Sequence, residues 1–306
     1  MVIGHKKQIK LLEKILQSND IPQSYLFIGP KGVGKFFVAN LFAKSLIEGF
    51  ANQNLKMSAE NFLQKKQNID LEILQPEIIE KKGVIKIKNI EVEKVREAQK
   101  NLSLFPAIGK FRVLIIDDAQ KLNLASQNTL LKTLEEPNKT SIIILVVNEE
   151  EKILNTIISR CRKINFNLVG LDEIKDGLKK EENNNNLDKV AIYSMGRPGE
   201  AKYLLQNKNI LKEKDIVIQE LRKIGTMNNV EKFELAEKYA KNLPETLKKM
   251  ELWVWFLRIQ AYKNIGENQK LKLYYNIISK MEDTLKKIKK IGLNNRLILE
   301  NLFLEL

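Results

Sequence analysis

Residues 25–35 read Tyr25-Leu26-Phe27-Ile28-Gly29-Pro30-Lys31-Gly32-Val33-Gly34-Lys35. Four consecutive apolar residues predict a short buried strand, and the seven that follow match G-x-x-x-x-G-K. Apolar residues recur at helical spacing from Phe37 to Ile47, so the stretch reads strand, glycine turn, helix. That order is what a phosphate-binding loop requires. Glycines let backbone N–H groups converge on phosphate oxygens, the helix start adds positive potential, and Lys35 supplies a charge. The bland alternative is a glycine turn that holds nothing. The eighth position departs from a working loop, which places Ser or Thr there to ligate magnesium; Phe36 has no oxygen to offer. The fold survives such a change, while binding of Mg-ATP and catalysis should be weakened.

Further along, Val113-Leu114-Ile115-Ile116 is a continuous apolar run ending in Asp117-Asp118, and Ile142 to Val147 is another ending in Asn148. Runs buried on both faces and separated by helical stretches predict a parallel sheet flanked by helices, an α/β fold. Polar residues at the carboxyl ends of its strands stand where such folds bind ligands. Asp117 holds the place of a metal-binding acid, and Asp118 that of the base which would polarise an attacking water. Aspartate is one methylene shorter than glutamate, and a displacement of about 1 Å can cost on the order of 10²-fold in rate. Both aspartates could instead cap the next segment, and Asn148 could be a simple turn residue.

The remaining segments fit around this frame. His5 to Ser18 predicts an amphipathic opening helix, and residues 49–68 a polar surface insertion. A second strand is expected near Leu71–Leu74, with helices over Ile90–Leu102 and Ala125–Leu134. After about Phe166 strand-like runs cease and the chain reads as helices. Three parts are therefore expected: residues 1–168 as the α/β domain, 169–208 as a small helical unit, and 209–306 as an all-helical domain holding Trp253 and Trp255 as packing residues.

Composition narrows the classes of function. With 43% hydrophobic residues in 306, the chain can bury a sizeable core. The net charge of +14 favours an acidic partner such as nucleic acid. Residues 209–306 hold 19 basic and 13 acidic side chains, hence +6, leaving +8 for the rest, so no basic arm stands out. One cysteine, Cys161, and one histidine, His5, can build neither a disulfide framework nor a Cys/His zinc site. The opening residues lack the apolar core of a signal peptide, and no stretch of 18 apolar residues exists, so a cytoplasmic location is expected.

The run Ile115-Ile116-Asp117-Asp118-Ala119-Gln120-Lys121-Leu122, then Asn128, Leu130, Leu131, Lys132, Leu134, Glu135, Glu136 and Pro137, resembles the I-D-[DE]-A … N-x-L-L-K-x-L-E-E-P signature of the bacterial clamp-loader AAA+ proteins of DNA polymerase III. Ser159-Arg160-Cys161 is similar to their S-R-C motif, Pro22 to Phe27 to their P-H-A-Y-L-F segment, and Gly196-Arg197-Pro198-Gly199-Glu200-Ala201 to the opening of their sensor-2 helix. The likeness covers about residues 3–205. It implies a P-loop AAA+ domain, a helical lid and a helical collar used in oligomerisation. It also implies that Arg160 reaches the ATP of a neighbouring subunit as an arginine finger acting in trans. The local alternative is pairing with a carboxylate such as Glu149–Glu151. Asn148 and Arg197 take sensor-like positions, although the family's sensor-2 basic residue falls where this chain has Glu200. Cys161 reads as a small hydrophobe.

A defective own loop (Gly29, Pro30, Lys31, Gly32, Val33, Gly34, Lys35) beside an intact S-R-C motif fits the delta-prime branch, with ATP turnover of its own weak or absent. The partners implied are the gamma/tau and delta subunits, the sliding clamp and primed DNA, in a hetero-oligomeric ring serving DNA replication. The alternatives are an ATP-hydrolysing gamma/tau-type subunit and a stand-alone AAA+ regulator that binds nucleic acid. Many relatives carry a four-cysteine zinc module after the P-loop helix; residues 49–68 hold no cysteine, so zinc is not expected, and ATP with magnesium is doubtful.

Overall fold

The computed structural model describes residues 2–18, 20–48, 69–81, 84–179, 186–288 and 293–306. The insertion expected at 49–68 lies outside them, as do residues 180–185 within the expected small helical unit. The described chain forms two compact units, Met1–Glu182 with Gly196–Glu200, and Asn183–Met195 with Ala201–Leu306.

The first unit opens with α1 (Lys6–Gln17), β1 (Ser24–Ile28) and α2 (Lys35–Glu48), followed by β2 (Leu71–Leu74) and a hairpin of β3 (Ile78–Lys81) and β4 (Val84–Ile87). Next come α3 (Val92–Leu102), β5 (Arg112–Ile116), α4 (Leu124–Glu135), β6 (Ser141–Val147), α5 (Asn155–Ile158), β7 (Arg162–Asn165) and α6 (Leu171–Lys179). Five strands form one parallel sheet in the order β2-β5-β6-β1-β7. The order places the P-loop strand inside the sheet, with β6 on one side and β7 on the other.

Alternation along the strands feeds two cores. Tyr25, Phe27, Val113, Ile115, Ile142, Ile144 and Val146 pack with α1 and α2 on one face. Leu26, Leu114, Ile116, Ile143, Leu145 and Val147 pack with α3 and α4 on the other. Because both faces are covered, β1, β5 and β6 are apolar at every position after the first, which explains the unbroken runs in the sequence.

Three strands went unread in the sequence. β7 has one buried apolar residue, Ile164, because it lies at the sheet edge. The β3–β4 hairpin pairs Ile78 with Ile87, and its signal was a pair of short β-branched runs around Lys82-Gly83.

The second unit is helical: α7 (Leu187–Tyr193), α9 (Lys208–Ile224), α10 (Asn229–Lys241), α11 (Leu243–Lys263), α12 (Asn268–Ile288) and α13 (Asn295–Glu305), with α8 (Pro198–Gln206) beginning in the first unit. Asn228 and Glu231 form a capping box on α10. Trp253 is fully buried between Tyr239 and Phe303, and its Nε1 donates to the Val217 carbonyl at 2.7 Å. Among the described residues no helix is long and apolar enough to cross a membrane.

Just ahead of β2, the buried Asp70 organises the loop that leads into β5. Its carboxylate accepts amide hydrogens from Ala107 at 2.7 Å and from Ile108 and Gly109 at 2.8 Å. Burial raises the Asp70 pKa, but these three bonds and the nearby Arg112 outweigh it and hold the pKa below the usual carboxylate value. Removing a buried carboxylate that three backbone amides share should be costly. Asp70→Ala is expected to lower stability by about 3 kcal/mol in denaturant unfolding. A depressed pKa contributes stability above the ordinary carboxylate range that disappears as pH falls through the folded value, so the loss should shrink in acid.

Candidate nucleotide site and arginine edge

The sheet brings Gly29, Asp117 and Asn148 to adjacent strand ends, because Ile28 pairs with Val147 and Ile116 with Leu145. Gly29 must lack a side chain: a Cβ there would lie 2.0 Å from the Phe166 carbonyl, where the chain leaving β7 crosses. Gly34 has φ +102°, which favours glycine as the loop turns into α2.

Lys35 is almost wholly buried, at 4% exposure. Its Nζ donates to the Gly29 carbonyl at 2.7 Å, the Pro30 carbonyl at 2.8 Å and Asn148 Oδ1 at 2.8 Å. Asn148 Nδ2 donates in turn to Asp118, whose Oδ1 also accepts from Gln120 Nε2 at 2.9 Å. The Asn148 backbone N–H donates to Gln120 Oε1 at 3.2 Å. Asp118 takes φ +50°, a left-handed conformation that aspartate tolerates better than most residues. Asp117 accepts from Gln75 Nε2 at 3.2 Å and from the Asp118 amide at 3.0 Å. One network thus joins the loop after β1 to the ends of β5 and β6.

Burial lowers the Lys35 pKa to about 8, although Asp117 and Asp118 pull the other way. Burial first, and then the neighbouring Asp118, raise the Asp117 pKa. Phe36 is partly buried and packs against the apolar cluster on the α1–α2 face of the sheet. The loop lacks one magnesium ligand of a working nucleotide site, the hydroxyl at position 36. Both aspartates accept side-chain amides, and Lys35 is bonded to its own loop.

Beside the loop, the Gly199 N–H donates to the Gly32 carbonyl at 2.9 Å. The Arg197 side chain lies over Gly32, its Cβ 3.5 Å from where a Gly32 Cβ would stand. Arg197 Nε is buried and has no hydrogen-bond partner among the described residues.

Arg160 stands apart from this network, just past the end of α5. Its Nη2 lies 2.8 Å from Glu135 Oε1, and its Nη1 donates to the Thr156 carbonyl at 3.0 Å and Ser159 Oγ at 3.5 Å. The carboxylates at 149–151 are not its partners: Glu149 pairs with Lys152 and Glu150 with Lys163. Cys161 is half-buried against the second core, and burial pushes its thiol up to about 12, so it stays protonated.

Sequence reading missed Gln75 and Gln120, and also Gln127, which bolts α4 to the segment before α5. Gln127 Nε2 donates to the Leu122 and Lys152 carbonyls, and its Oε1 accepts from the Leu154 amide. A signal existed, since Gln127 lies in line with Leu130 and Leu134 on the buried stripe of α4.

A parallel sheet ordered this way, with a P-loop after its inner strand and acids at the end of the next but one, is a P-loop AAA+ fold. The family model described as DNA polymerase III, delta subunit, matches residues 4–169, just over half of the chain, and the chain belongs to that family. It is 24% identical over 297 residues to the DNA polymerase III subunit delta' of Bacillus subtilis, covering 96% of this chain and 80% of that one. It is 31% identical over 222 residues to the subunit gamma of Buchnera aphidicola subsp. Schizaphis graminum, covering 70% of this chain and spanning only 59% of the relative's length. A gamma subunit-related protein of Thermotoga maritima is similar in structure, with TM-score 0.43 and 17% identity over 97% of this chain and 98% of that one; the fold assignment stands on strand order and loop instead.

A buried lysine with a depressed pKa makes stability rise with pH between the folded and unfolded values, because the unfolded chain binds the extra proton. Comparing wild type with Lys35→Met from pH 7 to 10 should therefore show the wild type gaining on the variant above about pH 8. The gain should be up to roughly 1 kcal/mol per pH unit, read from denaturant unfolding.

Proposed function

We propose that this chain is a delta-prime-type subunit of the DNA polymerase III clamp loader, lending Arg160 as an arginine finger to ATP held by a neighbouring subunit. The observation that carries the reading is a contrast within one domain. The chain's own loop has Phe36 in place of the hydroxyl and its lysine tied to Gly29, Pro30 and Asn148. Arg160, in the same unit, sits at the surface with its guanidinium aligned by three acceptors. A guanidinium at that edge can stabilise charge on a γ-phosphate brought to it from outside.

On this reading the partners are the gamma/tau and delta subunits in a hetero-oligomeric ring that places the sliding clamp on primed DNA. Residues 1–168 form the AAA+ domain, 169–208 the lid and 209–306 the collar. Asp117, Asp118, Asn148 and Arg197 keep the positions of a nucleotide site whose main use here is to hold the loop in shape, and own turnover is weak or absent. The second reading, an ATP-hydrolysing gamma/tau-type subunit, is favoured by the higher identity to a gamma subunit over a shorter span. Titration of the isolated chain with Mg-ATP separates the two, since micromolar affinity with steady turnover supports the second.

Arg160→Ala should leave the melting temperature of the chain unchanged. ATP turnover by the loader assembled with gamma/tau-type and delta-type subunits, clamp and primed DNA should fall tenfold or more, a finger being worth about 10³ at the site it serves. Undiminished turnover in that assembly defeats the proposal.

A further inference from the structure

We infer that Glu135 is a positioning residue for Arg160, holding the guanidinium against the end of α4 so that it meets a neighbour's phosphate already aligned. The inference rests on Arg160 acting as the finger. Among the described partners of Arg160, Thr156 and Ser159 belong to its own turn, and Glu135 alone ties it to another element. Arginine's fork is planar, so bonds at Nη1 and Nη2 fix the plane and leave Nε outside the described contacts.

The placement of Glu135 supports a dedicated role. It is the last residue of α4, where the helix dipole is negative and an acid is unfavourable unless a cation lies beside it. Arg160 is that cation. Glu136 caps the helix and Pro137, next after it, cannot extend it, which fixes where the carboxylate stands. Gln127 bonds α4 to the Lys152–Leu154 segment leading into α5, so the two ends of the ion pair ride on one bonded block. The pair is half-exposed, with side chains 36% and 50% accessible, so its effect on folding should be slight and its effect on alignment is what experiment can read.

The test uses the full chain assembled with gamma/tau-type and delta-type subunits, sliding clamp and primed DNA, measuring kcat and KM for Mg-ATP. Glu135→Ala is expected to lower kcat about three- to tenfold with KM unchanged. Glu135→Gln, which keeps the acceptor oxygen, should recover part of that loss. Because both residues act through one group, Glu135→Ala combined with Arg160→Ala should be no slower than Arg160→Ala alone. If Glu135→Ala and Glu135→Gln both match wild type while Arg160→Ala is slow, the positioning role is wrong and the finger stands. A raised KM, or a double variant slower than Arg160→Ala, equally overturns the positioning role. If Arg160→Ala itself is as fast as wild type, the finger reading fails first.

Discussion

The buried ammonium of Lys35 is the tie on which the first unit's working end depends. It takes two carbonyls from its own loop and one side-chain amide from the end of β6, and that amide passes the link to Asp118 beyond β5. A charge so deeply buried is tolerable only because each of its donors has an acceptor and two carboxylates stand near. The loop, the acid pair and the sensor-like asparagine therefore form one hydrogen-bonded structure, not separate motifs that happen to share a sheet.

A P-loop whose eighth residue lacks the metal-binding hydroxyl can still be held in shape for structural reasons. Backbone geometry at Gly29 and Gly34 is demanded by close approach and by positive φ, whether or not a triphosphate is ever bound. Phe36 adds apolar packing against the core in place of a polar hydroxyl. The site's residues thus have structural reasons to stay, and on the function proposed above the group the chain lends to chemistry is Arg160.

Legibility in the sequence followed burial. β1, β5 and β6 were read from apolar runs because both faces of those strands are covered, and α2, α3 and α4 from helical spacing. β7 was not, since an edge strand of four residues with one buried side chain has no run to see. The glutamines at 75, 120 and 127 were passed over for a related reason. Each is informative only through its partners, and those partners are 42, 28 and 25 or more residues away in the contacts that matter most. The motif singles out Arg160, and the alternative of a pairing with the acids at 149–151 names the wrong carboxylates. Those acids are nearer along the chain, and the helix end at Glu135 is nearer in space.

By itself the sequence determined the α/β class, the loop and its missing hydroxyl, the pair of aspartates and the family signature, because all of these are local patterns of residue type. Only the tertiary structure decided that Lys35 is turned inward on its own loop, that Asn148 bridges Lys35 to Asp118, and that Arg160 is braced by Glu135. Hydrogen bonds and ion pairs act over about 3 Å of space and carry no trace of separation along the chain. Their partners are fixed only once strand order and helix packing have brought distant segments together.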